Sequence, residues 1–182
     1  MPVYQIIKVF NQSLGARYRV RLEGGGAEPF YRAAKAGDCA VIVFRADYSA
    51  SALHEVAHWC LAGSRRRQLD DYGYWYLPAR NAAEQAAFEV VETRPQALES
   101  LFAEAAGVDF RVSSDDVERL PSPFFKAKVA EERRVIQQRL STRATCFLAA
   151  LVAANSPLTQ MPTPTPRQTA AQLVAGSRAV SA

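Results

Sequence analysis

The chain has 182 residues, of which 49% are hydrophobic and 22% charged, enough to bury one core in a water-soluble globular domain. No apolar run approaches the roughly 18 residues of a membrane span, and the longest, Cys146 to Ala154, reaches about half of that. The net charge of +4 is moderately basic, but no interleaved aromatic and basic pattern accompanies it, so direct nucleic-acid binding is not expected.

The opening residues, MPVYQIIKVF, lack the basic and long apolar regions of a signal peptide. Cys39, Cys60 and Cys146 form no CxxC pair and leave an odd count, which fits a reducing, cytoplasmic setting. From Val3 to Leu14 apolar residues recur at helical spacing, with Pro2 suited to a first turn and Gly15 to a C-terminal cap. RYRVRL (17–22) alternates arginines with Tyr18, Val20 and Leu22, a half-buried strand that the GGG run at 24–26 is expected to break. PFYRA offers a second short strand, and the β-branched run CAVIVF (39–44) the buried central one.

Next comes LHEVAHWC (53–60), on a helix expected between an N-cap at Ser49 and a C-cap at Gly63. Ala50, Leu53, Ala57 and Cys60 form its core stripe, with His54 and His58 on the flank. The arginines at 65–67 follow, either a patch that steers an acidic partner or cations favoured near a helix C-terminus. DYGYWYLP (71–78) reads as a strand with Tyr72, Tyr74 and Tyr76 on one face and Trp75 on the other. Such a strand packs half-buried or walls a pocket, since aromatic faces hold alkyl stems and cations. A long helix is expected over 81–106, kinked or divided at Pro95. Loops with brief extended pieces follow, then helices over 127–140 and 144–154. The boundary therefore falls between one α+β domain, 1–154, with a small sheet packed by the motif helix and further helices, and a Pro/Thr-rich tail, 155–182.

His54 and His58 are the chain's only histidines. Four residues apart on a helix, they lie about 6 Å apart along the axis and can converge on one metal ion. The alternative is a hydrogen-bonded pair at a core edge. A third ligand must come from a cysteine or carboxylate, and in EQAAFEVVETRPQALE the residues Gln85, Glu89, Glu92 and Gln96 share one arc of a helical wheel. That arc is either a solvated face or a polar stripe turned toward the histidines. HExxH enzymes with a glutamate third ligand open a Glu-x-x-Ala-(Asp/Asn) stretch with it. Glu92 fits that spacing best, with Gln96 in support and Glu89 as the fallback. Glu55 is the candidate catalytic residue, as a general base or as a group that orients ligand or substrate.

Taken in order, YSASALHEVAHWCLAG, DYGYWYLP, FEVVETRPQALESLF and AAGVDFRVS resemble the bacterial elongation factor P hydroxylase family. The resemblance is dense over 48–113 and looser before it, in FNQ and EPFY. It implies a metal-dependent hydroxylase, with two histidines and one glutamate of FEVVE as ligands and open coordination positions for oxygen chemistry, iron(II) being the metal expected. Molecular oxygen is the implied cosubstrate, and no Arg or Lys is assignable to an organic acid such as 2-oxoglutarate. The implied partner is elongation factor P carrying a β-lysyl-lysine. Its long diamine arm would need the walls of Tyr72, Tyr74, Trp75 and Tyr76 and the negative charge of Glu55 and whichever of Glu89 and Glu92 is not a ligand. Competing readings are a zinc endopeptidase, and a non-catalytic metal-stabilised module that docks on a translation factor.

Overall fold

In the computed structural model, which describes residues 1–73, 80–114 and 120–156, the β-branched run builds the centre of the sheet. Strand β1 (Val20–Gly26) lies on one side of β3 (Ala40–Arg45) and runs parallel to it, while β2 (Phe30–Arg32) lies on the other, antiparallel. Val20 and Leu22 bury one face of β1 as their alternation requires, with Arg21 exposed between them. The glycine run does not end the strand. It carries β1 on through a register shift between Glu23 and Gly26. A Cβ at Gly24 would lie 2.7 Å from the Phe44 ring, so the missing side chain makes room for a core aromatic.

Helix α1 (Val3–Phe10) does not stop at Gly15 either. A π-helical turn, Asn11–Gly15, leads into the short helix α2 (Ala16–Tyr18), and Arg19 in the left-handed region (φ 51°) ends the run. Asn11 ties that turn to the sheet. Its carbonyl oxygen accepts from Leu22 N (2.9 Å) and its amide donates to Leu22 O (3.3 Å).

Helix α3 (Ser49–Leu61) carries the histidines, starts after Tyr48, and ends at Ala62 rather than Gly63. It is buried over most of its circumference. Ala52, Val56 and Trp59 join Leu53, Ala57 and Cys60 in the core, and only Ala50 of the expected stripe is exposed. On one side it meets β3 and on the other α4 (Ala82–Ala106), which starts with a capping box between Asn81 and Glu84. α4 is continuous through Pro95, which neither divides it nor ends it.

Helices α5 (Pro123–Gln138) and α6 (Thr142–Asn155) pack against α4. The first starts earlier than its apolar pattern suggested, because Ser122 caps it and Pro123 suits its first turn. Trp59, Phe10, Phe147 and Phe102 form a chain of edge-to-face rings with centroids 5.0–5.7 Å apart. This chain joins α3, α1, α6 and α4. The architecture is α+β, a small mixed sheet covered by helices. The tail beyond Ser156 lies outside the described residues, as do Tyr74, Trp75 and Tyr76.

Phe147 is fully buried at the centre of the ring chain, so Phe147→Ala should cost about 3–5 kcal/mol of stability. Val152→Ala on the 56%-exposed side of the same helix should stay within about 0.5 kcal/mol. Denaturant midpoints of the two variants measure both.

Candidate metal centre

Helix α4 turns its polar stripe inward. Gln85, Glu92, Gln96 and Glu99 are each no more than 7% exposed, whereas Val90 is 76% and Val91 49% exposed. The stretch that buries Glu92 and displays the valines is inverted for simple amphipathic packing, although Leu98 and Phe102 further along are buried in the core. A buried carboxylate costs several kcal/mol unless something compensates it. The compensation comes from α3.

Glu92 Oε1 lies 3.2 Å from His58 Nε2, and Glu92 Oε2 lies 3.5 Å from His54 Nε2. The two Nε2 atoms are 3.1 Å apart. One ligand atom from each of His54, His58 and Glu92 thus falls within 4.8 Å of the others. Two imidazoles and one carboxylate converging at this range suit a divalent cation with borderline ligand preferences. Three protein ligands also leave coordination positions open.

Glu99, which the stripe on the wheel did not include, completes the arrangement. Its Oε2 accepts from His54 Nδ1 at 2.8 Å, which places a proton on Nδ1 and turns Nε2 toward Glu92 and His58. Its signal was present in the sequence, because position 99 lies seven residues beyond 92 and so on the same face. Gln96 does the supporting work expected of it. Its Nε2 donates to Ser113 O (2.8 Å) and to Glu92 Oε2 (3.5 Å), and its Oε1 accepts from Ser113 N (3.0 Å). Gln85 donates to Ser114 O, so the segment before residue 115 is strapped along α4 beside Glu92. Glu89 lies elsewhere. Half-buried, it accepts from Ser122 Oγ at 3.3 Å.

The charges are strongly coupled. Burial would lower the His54 pKa, but the hydrogen bond to Glu99 and the charges of Glu92, Glu99 and Glu55 raise it to about 10. Burial would raise Glu92, but the charge and hydrogen bond of His58, with His54, bring it to about 2. Glu55 is buried one residue along from His54, and burial pushes its carboxyl up against the opposing pull of both histidines. Three carboxylates around two imidazoles leave an excess of negative charge that a cation would neutralise.

Tyr72 does not lie on a strand. Asp70–Gly73 forms a 3-10 turn in which Asp71 and Tyr72 both have positive φ, 46° and 58°. The turn is pinned to β2. Asp71 accepts from Tyr31 N and Asp70 from Ala33 N, each at 2.8 Å. The Tyr72 ring stacks on Tyr31 with centroids 4.4 Å apart, and its buried hydroxyl has no hydrogen-bond partner among the described residues. The arginine cluster divides in its roles. Arg67 donates to Ala62 O at the end of α3 and lies 5.8 Å from the Trp59 ring, while Arg65 is exposed.

Residues 9–161 match the sequence profile of elongation factor P hydroxylases. The chain belongs to the elongation factor P hydroxylase family. It is also 41% identical over 153 residues, 81% of this chain and 86% of its relative, to the elongation factor P lysine hydroxylase of Haemophilus influenzae. The family match runs through α5 and α6, well beyond the segments 48–113 that carry the motifs. In this chain the helix that carries His54 and His58 lies on a mixed sheet and faces the buried Glu92 of α4.

Metal should bind at one ion per chain. His54→Ala or His58→Ala should abolish stoichiometric loading by elemental analysis, Glu92→Gln should weaken it, and Glu89→Gln should leave it intact. Glu99→Gln should weaken it by about 10–100-fold, the usual effect of losing a carboxylate that orients a ligating histidine. Because the entering cation must displace the His54 proton, affinity should rise by about tenfold per pH unit below the His54 pKa. A calorimetric titration in buffers of different ionisation enthalpy should show one proton released per ion.

Proposed function

We propose that this chain is an iron(II)-dependent monooxygenase that hydroxylates the β-lysylated lysine of elongation factor P. The observation that carries this is the pairing of His54, His58 and Glu92 across α3 and α4 in a chain of this family. The name of the Haemophilus relative supports lysine as the residue modified. A ferrous ion held there would supply the site at which molecular oxygen is activated. One oxygen atom enters a C–H bond of the side chain, and the other leaves as water with two electrons and two protons from a reductant.

The chain's own residues have separable tasks. Glu99 holds the His54 imidazole in orientation, and Gln96 fixes both Glu92 and the strap at 113–114. Glu55, beside the ligands but outside the converging set, can accept or hold a proton at its carboxylate during turnover. Tyr72 has a buried hydroxyl with no partner among the described residues, and with Tyr74, Trp75 and Tyr76 it belongs to the aromatic run proposed to receive the long diamine arm. Elongation factor P carrying β-lysyl-lysine as the protein partner, a reducing compartment and the cytoplasm are all part of this reading. The free Cys39, Cys60 and Cys146 accord with that setting.

Intact-mass analysis of β-lysylated elongation factor P after incubation with the protein, ferrous ion, oxygen and a reductant should show a gain of one oxygen atom. The gain should vanish with His54→Ala. Glu55→Gln should lower kcat by about 100-fold or more while metal content is kept. Peptide cleavage by the zinc-loaded protein, with no oxygen gain, would instead identify a peptidase.

A further inference from the structure

Away from the histidines, the end of α3 opens into a second cleft of about 350 Å³ between α4, α5 and α6. It is lined by Arg67, Arg94, Arg139 and Arg143 together with Ser64 and Ser141, and no carboxylate is among its lining residues. Arg94 is neutralised by Glu132 at 3.2 Å. Arg67, Arg139 and Arg143 have no carboxylate partner among the described residues.

Arg143 and Arg67 lie near the Trp59 ring, 5.1 and 5.8 Å from its centroid. Both also donate to the last carbonyls of α3, Arg143 to Cys60 O (3.0 Å) and Ala62 O (2.8 Å) and Arg67 to Ala62 O. Capping a helix C-terminus, with a partial charge of roughly half an electron, needs one cation and not three. The Nε of Arg143 is buried with no partner among the described residues. The N-terminus of the 14-residue α6, capped by Ser141, lies against the same cleft and adds its positive end.

We propose that this cleft is a binding site for a phosphate-class oxyanion, the phosphoryl group of a small molecule. One planar carboxylate is satisfied by one guanidinium fork. Three guanidinium groups from the loop after α3, the end of α5 and the start of α6 surround a cavity, and that arrangement suits a tetrahedral dianion with several acceptor oxygens. The site shares Trp59 with the packing of α3, on the same helix as His54 and His58. It makes no use of the candidate metal ligands.

Inorganic phosphate titrated at constant ionic strength into the Trp75→Phe protein tests this, with Trp59 emission as the readout and calorimetry alongside. Saturable binding should appear, at least tenfold tighter than that of acetate or glutarate. Arg139→Ala, on an exposed position that leaves the α3 cap intact, should weaken it at least tenfold without changing metal loading. Arg94→Ala should change it less than twofold, because Glu132 already compensates that charge. Absence of saturable binding, binding indifferent to Arg139→Ala, or glutarate bound more tightly than phosphate would each overturn the proposal.

Discussion

The contact between Glu92 and the two imidazoles is the constraint on which the rest of the structure depends. It makes burial of the polar side chains of α4 tolerable beside the apolar residues that the same helix packs into the core. Apolar packing of Leu98, Leu101 and Phe102 fixes the C-terminal half of α4, and in that orientation its N-terminal half displays Val90 and Val91 and buries Glu92. A buried charge loses more from isolation than a pair gains from attraction, so two histidines opposite three glutamates form a group that stands or falls together. Stability and chemistry are coupled here, and the protein keeps unfavourable charges close because a cation can join them.

The sheet and the ring chain serve that contact. β3 gives α3 a rigid floor, and Trp59, Phe10, Phe147 and Phe102 hold α3, α1, α6 and α4 in one packed unit. Close-packed cores resist small displacements, so the separation between α3 and α4 is held without a disulfide among the described residues. The carboxamide of Gln96 then transmits position from Glu92 to the strap at Ser113 and Ser114. Glu99, on the same face, fixes which nitrogen of His54 is free to act.

Much of this was legible in the sequence, for identifiable reasons. The run Cys39 to Phe44 announced a central strand because a strand buried on both faces is apolar almost throughout, and this one is observed at Ala40–Arg45. The spacing of His54 and His58 announced a half-site because i,i+4 side chains share a helix face. What misled was local punctuation. Gly15, the run 24–26 and Pro95 each looked like a boundary, and each lies inside or beside a continuous element held by tertiary contacts. Tyr72 alternated like a strand residue, but the bonds of Asp70 and Asp71 to β2 bend its backbone into a turn that no periodicity encodes. Glu99 went unread because the stripe was closed at Gln96, although the same wheel carries it one turn further.

The central claim, that α3 and α4 together make one metal centre with two histidines and one carboxylate, is tested most directly by X-ray absorption at the metal edge of the iron(II)-loaded protein. Two imidazole nitrogens, one carboxylate and further exchangeable oxygen ligands are expected, with the carboxylate contribution lost in Glu92→Gln. A ligand set that contains sulfur or a single imidazole, or a spectrum that Glu92→Gln leaves unchanged, would contradict it.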